Sequence, residues 1–309
     1  MIFLPPIPSP DGMRVPASPD RRRLLAAGCA AAAATACSPL PVLNAALPGS
    51  TYRLEPDVAF GAGPRDRLDV YRPAATLARP APVVVFFYGG NWTSGARADY
   101  RFVGEALASR GFVAVIPDYR LYPDTVFPGF VQDGARAVRW TATQAARLGG
   151  DADRIVLAGH SAGAYIAAML AFAPGWLAEA GASPDVVRAL VGLAGPYDFL
   201  PMRSPQTRAV FGALADSRQT QPIDRVTAAA PPTLLITGGR DRTVDPANSA
   251  RLAARLRGAG ACVRERRFER LGHALLVGAL AAPLRGVGGV LDAMAGFVDE
   301  VAAVDQRDP

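Results

Sequence analysis

The sequence contains no lysine: all 33 of its basic residues are arginine, set against 27 acids for a formal net charge of +6. A nucleic-acid partner would call for that charge to gather in a run or on one face. These arginines are instead scattered among acids along most of the chain, which reads as residue usage and argues against nucleic acid. Cysteine is also scarce, and Cys29, Cys37 and Cys262 form neither a zinc-ligand spacing nor an even-numbered disulfide framework. No metal is therefore expected, and Cys262, in an apolar strand-like context, is expected to be a buried free thiol. Only two histidines occur, His160 and His273, so the search for a catalytic base is short.

Long hydrophobic runs are missing too. The most apolar stretch follows Arg21-Arg22-Arg23 and runs through an alanine tract to Cys37, well short of the ~20 residues that a membrane-spanning helix needs. A charged head followed by an apolar stretch of about a dozen residues has the form of an export signal. Asp20 to Leu25 resembles a twin-arginine signal, and Ala34-Thr35-Ala36-Cys37 resembles a bacterial lipoprotein box, which makes Cys37 a lipidation candidate and membrane association through a lipid anchor an expectation. Cys29 is a competing site that would leave a very short apolar stretch, and simple cleavage near Ala36 or Ala46 is the alternative. Residues 1–37 are thus read as an export signal, with Met13 as a candidate start, residues 38–50 as a linker, and residues 51–309 as the catalytic domain, working on the periplasmic or cell-envelope side.

What is present is a globular composition, half hydrophobic and 19% charged, sufficient to bury a sizeable core. Beyond residue 51, apolar runs alternate with helix-like stretches, the pattern of a mostly parallel sheet with helices on both faces. Strands are expected at Val83–Tyr88, Phe112–Pro117, Arg154–Ala158, Ala189–Ala194, Thr233–Thr237 and Cys262–Phe268, with antiparallel edge strands at Tyr52–Phe60 and Arg65–Arg72. Helices are expected at Asp99–Arg110, Phe130–Leu148, Ala162–Phe172, Pro246–Gly258 and Gly286–Val301.

The strand ending at Ala158 runs into Gly159-His160-Ser161-Ala162-Gly163 and a helix-forming stretch follows, which is the strand, turn and helix context of a nucleophile elbow. Ser161 is the expected nucleophile. A serine hydroxyl needs an adjacent base; His160 precedes it on a sharp turn and would point away, which leaves His273. The acid belongs between them in chain order, where Thr233–Thr237 ends in a loop carrying Asp241 and Asp245. Asp245 precedes Pro246 and a helical stretch and so reads as a helix cap, leaving Asp241 as the expected orienting acid. The paired Gly89-Gly90 before Asn91 lets backbone amides approach a substrate, so the amides of Gly90 and Asn91, with that of Ala162, form the expected oxyanion hole.

Together, Tyr88-Gly89-Gly90-Asn91-Trp92, Pro117 to Pro123, Gly159 to Gly163, Asp241 and His273 resemble the acetyl-esterase, hormone-sensitive-lipase-like and feruloyl-esterase-like α/β-hydrolases, with kynurenine formamidase and prenylcysteine methylesterase as near relatives. The resemblance spans about residues 55 to 300 and implies an α/β-hydrolase fold, a serine esterase acting through an acyl-enzyme on small or aromatic acyl esters, and no cofactor. It further implies that Asp118 to Pro123 braces the oxyanion loop. Tyr88 departs from the His of many relatives, and the 38 residues between Ala194 and Thr233 allow only a small cap. An amidase or arylformamidase on N-acyl bonds, and a catalytically silent binding protein of the same fold, are the alternatives.

Overall fold

A computed structural model describes residues 40–303. The export signal, Cys29 and the lipidation candidate Cys37 lie outside the described residues. Among those described, eight strands form one sheet: β1 (Tyr52–Ala59), β2 (Arg67–Pro73), β3 (Ala81–Phe87), β4 (Val113–Pro117), β5 (Gly150–His160), β6 (Val187–Leu193), β7 (Thr233–Gly238) and β8 (Val263–Phe268). Their order is β1-β2-β4-β3-β5-β6-β7-β8. β2 pairs antiparallel with both β1 and β4, and every other neighbouring pair is parallel. This is the α/β-hydrolase arrangement expected from the sequence.

The parallel strands are buried because helices cover both faces, as parallel sheets require. All five residues of β4 and all six of β7 are buried, and β3 is buried at every position except Pro82. The helix Ala162–Phe172 carries no charge and is buried at every position but Ala171; a helix apolar all round belongs inside a protein. This one follows β5 and packs against β5 and β6.

The sheet reverses its direction of growth between β3 and β5, since β4 lies on the far side of β3 while β6 to β8 extend beyond β5. Ligands in open α/β sheets bind outside the carboxyl ends of strands at such a switch point. Phe86 pairs with Ala158 and Phe87 with Gly159, so the residues just past β3 and β5, Gly89 and Ser161, come to lie side by side.

Several element ends differ from expectation for identifiable reasons. The last helix spans Val290–Ala303 and not Gly286–Val301, because Gly288 and Gly289 take φ of 91° and 71°, values that glycine adopts without steric cost but a helix does not contain. Residues 40–45, inside the stretch read as a linker, form a helix docked by Asn44, whose amide donates to the carbonyls of Ala98 and Asp99 and whose oxygen accepts from the Phe102 amide. Six residues are too few to display a helical period. Cys262 corrects an expectation outright: it is exposed, not buried. β8 is one of the two outer strands of the sheet and displays Arg264 to Arg267 to solvent, so the residue just before it gains no cover.

Candidate active site

Ser161 sits between β5 and its helix at φ 55°, ψ −122°, a conformation that costs a non-glycine residue about 1–3 kcal/mol and persists only where the surroundings enforce it. The enforcement is steric. A Cβ on Gly159 would come within 2.4 Å of the Gly163 carbonyl, and one on Gly163 within 2.0 Å of the Phe87 carbonyl oxygen. Only two glycines let β5, the turn and β3 approach so closely. Ser161 is 5% exposed, and its own amide donates to the Leu193 carbonyl at 2.9 Å, tying the elbow to β6.

Beyond β8, His273 begins a short helix, and its Nδ1 lies 2.7 Å from Asp241 Oδ2. An ionised carboxylate only accepts, so Nδ1 donates and Nε2 keeps a free lone pair. The other carboxylate oxygen of Asp241 accepts the amides of Thr243 at 2.8 Å and Val244 at 3.0 Å, which fixes the rotamer. Asp245 is occupied locally, with its Oδ1 accepting the Ala247 amide at 2.9 Å at the start of the helix Ala247–Gly258. Asp241, not Asp245, is the carboxylate that reaches the histidine.

The loop after β3 turns tightly, with the amides of Thr93 and Ser94 donating to the Gly90 carbonyl, which leaves the amides of Gly90 and Asn91 out of that turn. Gly90 takes φ 138° and Asn91 φ 52°. At Gly90 a Cβ would meet the Ser94 carbonyl oxygen at 2.1 Å; at Gly89 it would lie 3.1 Å from Ser161 Cβ. The loop backbone at Gly89 is thereby held beside the serine.

Beneath the loop lies an ionic cluster in which Asp118 braces the loop, as the resemblance implied, through Tyr88, Arg65, Arg97 and Asp69, a set that sequence reasoning missed. Tyr88 donates to Asp118 Oδ1 at 2.9 Å and accepts from Arg65 Nη2 at 2.7 Å, while Arg65 also donates to the carbonyls of Gly95 and Tyr119. Asp118 further accepts the Arg97 amide and pairs with its guanidinium, which also reaches Asp69. Burial, and then the Asp118 carboxylate, push the Tyr88 hydroxyl far above the usual tyrosine range, so it remains a donor. The tyrosine standing where many relatives carry His therefore ties the loop to Asp118. No local motif marks Arg65 or Arg97.

The cap between β6 and β7 is small, as its length implies: a helix at Pro205–Phe211 capped by Ser204, then single turns. Phe211 and Phe199 of this segment meet Trp92 of the loop at ring distances of 5.1 and 6.4 Å, and Tyr165 of the helix Ala162–Phe172 meets Trp92 at 5.3 Å. Trp92 is 4% exposed. A cavity of about 1010 Å³ lined by Leu77, Arg79, Arg154 and Asp299 adjoins the opposite, amino-terminal ends of β3 and β5 and includes none of these residues.

His160 is buried and its ring stands 4.6 Å from that of His273. Burial, and secondarily the neighbouring His273, lower its pKa from 6.5 to about 3. The unfolded chain takes up a proton there below about pH 6.5 and the folded chain only below about 3, so this ring's contribution to stability is complete above pH 6.5 and is lost as pH falls through that window. Its full size is on the order of 5 kcal/mol. Urea midpoints of wild type and His160→Gln, measured from pH 7 to pH 4, should converge as the pH drops; parallel curves would show that the ring protonates in the folded protein.

Comparison with known proteins gives a consistent picture. Esterase LipC of Mycobacterium tuberculosis is 34% identical over 218 residues, covering 65% of this chain and 54% of that protein. A probable isoprenylcysteine alpha-carbonyl methylesterase of Arabidopsis thaliana is 29% identical, covering 81% of this chain and 56% of its own length. The chain thus spans about half the length of these curated relatives. Among solved structures, a thermophilic esterase of Thermogutta terrifontis with propionate bound superposes with TM-score 0.67 at 25% identity, covering 84% of this chain and 98% of the other. A truncated carbohydrate esterase from gut microbiota, at 21% identity, TM-score 0.71 and coverage of 84% and 100%, shares the fold. The BD-FAE family model matches residues 68–256, more than half of the sequence and a span that includes the elbow, the oxyanion loop and Asp241, and the chain belongs to the BD-FAE family.

Proposed function

We propose that this protein hydrolyses carboxylic esters through an acyl-enzyme on Ser161. The observation that carries the reading is His273 Nδ1 on Asp241 Oδ2 at 2.7 Å, in a site whose serine is held in a strained elbow. Ser161 Oγ attacks the ester carbonyl carbon while His273 Nε2 takes its proton, and Asp241 stabilises the imidazolium without itself becoming protonated. The amides of Gly90, Asn91 and Ala162 receive the oxyanion. Collapse breaks the bond to the alkoxy oxygen, which leaves with the proton from His273. Water then repeats the sequence, with His273 as base, and the acid is released.

The cap sets the acyl preference. Its aromatic side chains pack onto Trp92 beside the oxyanion loop, and the Thermogutta terrifontis esterase holds propionate, which supports short acyl groups. Each further methylene contributes about 0.8 kcal/mol only where a pocket buries it. On p-nitrophenyl esters, kcat/KM should be highest from acetate to butyrate and fall beyond; a steady rise from butyrate to palmitate would exclude the short-acyl reading. N-Formylkynurenine in the same assay separates an ester hydrolase from an arylformamidase, the expected result being turnover of the esters alone.

The protein is further proposed to be exported and anchored through a lipid on Cys37, on the strength of the arginine-led apolar segment and the small residues before that cysteine. Wild type should partition with membranes and carry added lipid mass, and Cys37→Ala should do neither. A soluble wild-type product without added mass would rule the anchor out.

A further inference from the structure

The elbow's first variable residue does more than fill space. His160 Nε2 lies 3.1 Å from the backbone carbonyl oxygen of His273, 113 residues away. A carbonyl can only accept, so Nε2 carries the proton and the neutral ring has its lone pair on Nδ1. That nitrogen is buried without a partner. It faces the backbone of the loop after β3, for a Cβ on Gly89 would lie 3.0 Å from it. A second proton placed on Nδ1 would find no acceptor, at a site 4% exposed, and buried donors left unpaired are costly. His273 is the titratable group whose charge the ring senses, with Asp241 on the far side of that imidazole.

We infer that His160 is a positioning residue for the base: it holds the main chain of His273 by a hydrogen bond and presents an uncharged ring against the His273 imidazole. The inference rests on the reading of His273 as the base. Asp241 tethers that residue's side chain, and His160 tethers its backbone, so the ring is located from two directions. One residue thereby joins the nucleophile, by covalent adjacency, to the loop after β3 at Gly89 and to the loop after β8. Neutrality matters because His273 becomes an imidazolium in each half-reaction, and a second positive ring at 4.6 Å would oppose that charge.

Three variants and one spectrum test this. Glutamine places an amide N–H near the position of Nε2, so His160→Gln should keep kcat within about fivefold. His160→Leu loses the donor, and misplacement of a reacting group by as little as 1 Å costs on the order of 10²-fold; its kcat on p-nitrophenyl acetate should fall about 30- to 100-fold, with KM within about threefold. Equal activity of the Leu variant and wild type would overturn the role, as would equal damage in both variants, which would mean packing alone. His273→Ala, run alongside, separates the two readings: retained turnover there removes the base assignment itself, whereas its loss beside an unimpaired His160→Leu removes only the tether. Should the Leu variant fail to fold, the spectrum decides. With only two histidines in the chain, long-range ¹⁵N correlations of histidine-labelled wild type resolve both rings. His160 should show the Nε2–H neutral form unchanged from pH 5 to pH 9, and the Nδ1–H form or a titrating signal for it would overturn the inference.

Discussion

Ser161→Ala should abolish ester turnover while leaving the thermal unfolding midpoint within a few degrees of wild type. Removing a member of a serine triad costs up to about 10⁶-fold in kcat, because the remaining members have no nucleophile to activate. The fold should not suffer. Alanine retains the Cβ that the elbow already accommodates at φ 55°, and the backbone bond from residue 161 to the Leu193 carbonyl does not involve the side chain. A fluorophosphonate probe, which needs the hydroxyl, should label wild type and not the variant, with intact mass placing one adduct per chain. Substantial labelling or turnover by the variant would place the nucleophile elsewhere.

Asp241→Asn should lower kcat on the order of 10⁴-fold, the cost of holding a catalytic histidine in the wrong tautomer. The surrounding hydrogen bonds dictate that tautomer. One oxygen of Asp241 accepts two backbone amides, from Thr243 and Val244, so the Asn oxygen must stay there and its NH₂ must turn toward His273. Facing a donor, Nδ1 has to accept, the ring proton moves to Nε2, and the lone pair that should receive the serine proton is gone. Asp245→Asn should change kcat less than about threefold, since asparagine caps a helix about as well as aspartate and the carboxylate of residue 245 accepts the Ala247 amide, away from His273. Parallel kinetics on p-nitrophenyl butyrate decide between the two carboxylates; a large loss at 245 with little at 241 would reverse their roles.

The difference between what could be read in advance and what could not follows the range of the interactions. The elbow was legible in five residues because its requirement is local: no side chain fits at 159 or 163 when the turn is that tight. The strands were legible because residues buried on both faces leave nearly unbroken apolar runs such as those of β3 and β7. That Asp241 and not Asp245 contacts His273 was within reach because the helix signal that occupies Asp245 lies next to it in the chain. Strand order decided the rest. Cys262 is exposed because its strand ends the sheet, which the seven-residue segment around it does not encode. Tyr88 meets Asp118 and Arg65 across 30 and 23 residues, and the cap's phenylalanines reach Trp92 from more than 100 residues away. His160 was set aside as a base from its own backbone geometry alone, and its contact with His273 exists only once β5 and the loop after β8 emerge at the same end of the sheet. Steric demands on a turn are written within a few residues; pairings between strand ends depend on the order in which the whole sheet assembles, and only the tertiary structure decides them.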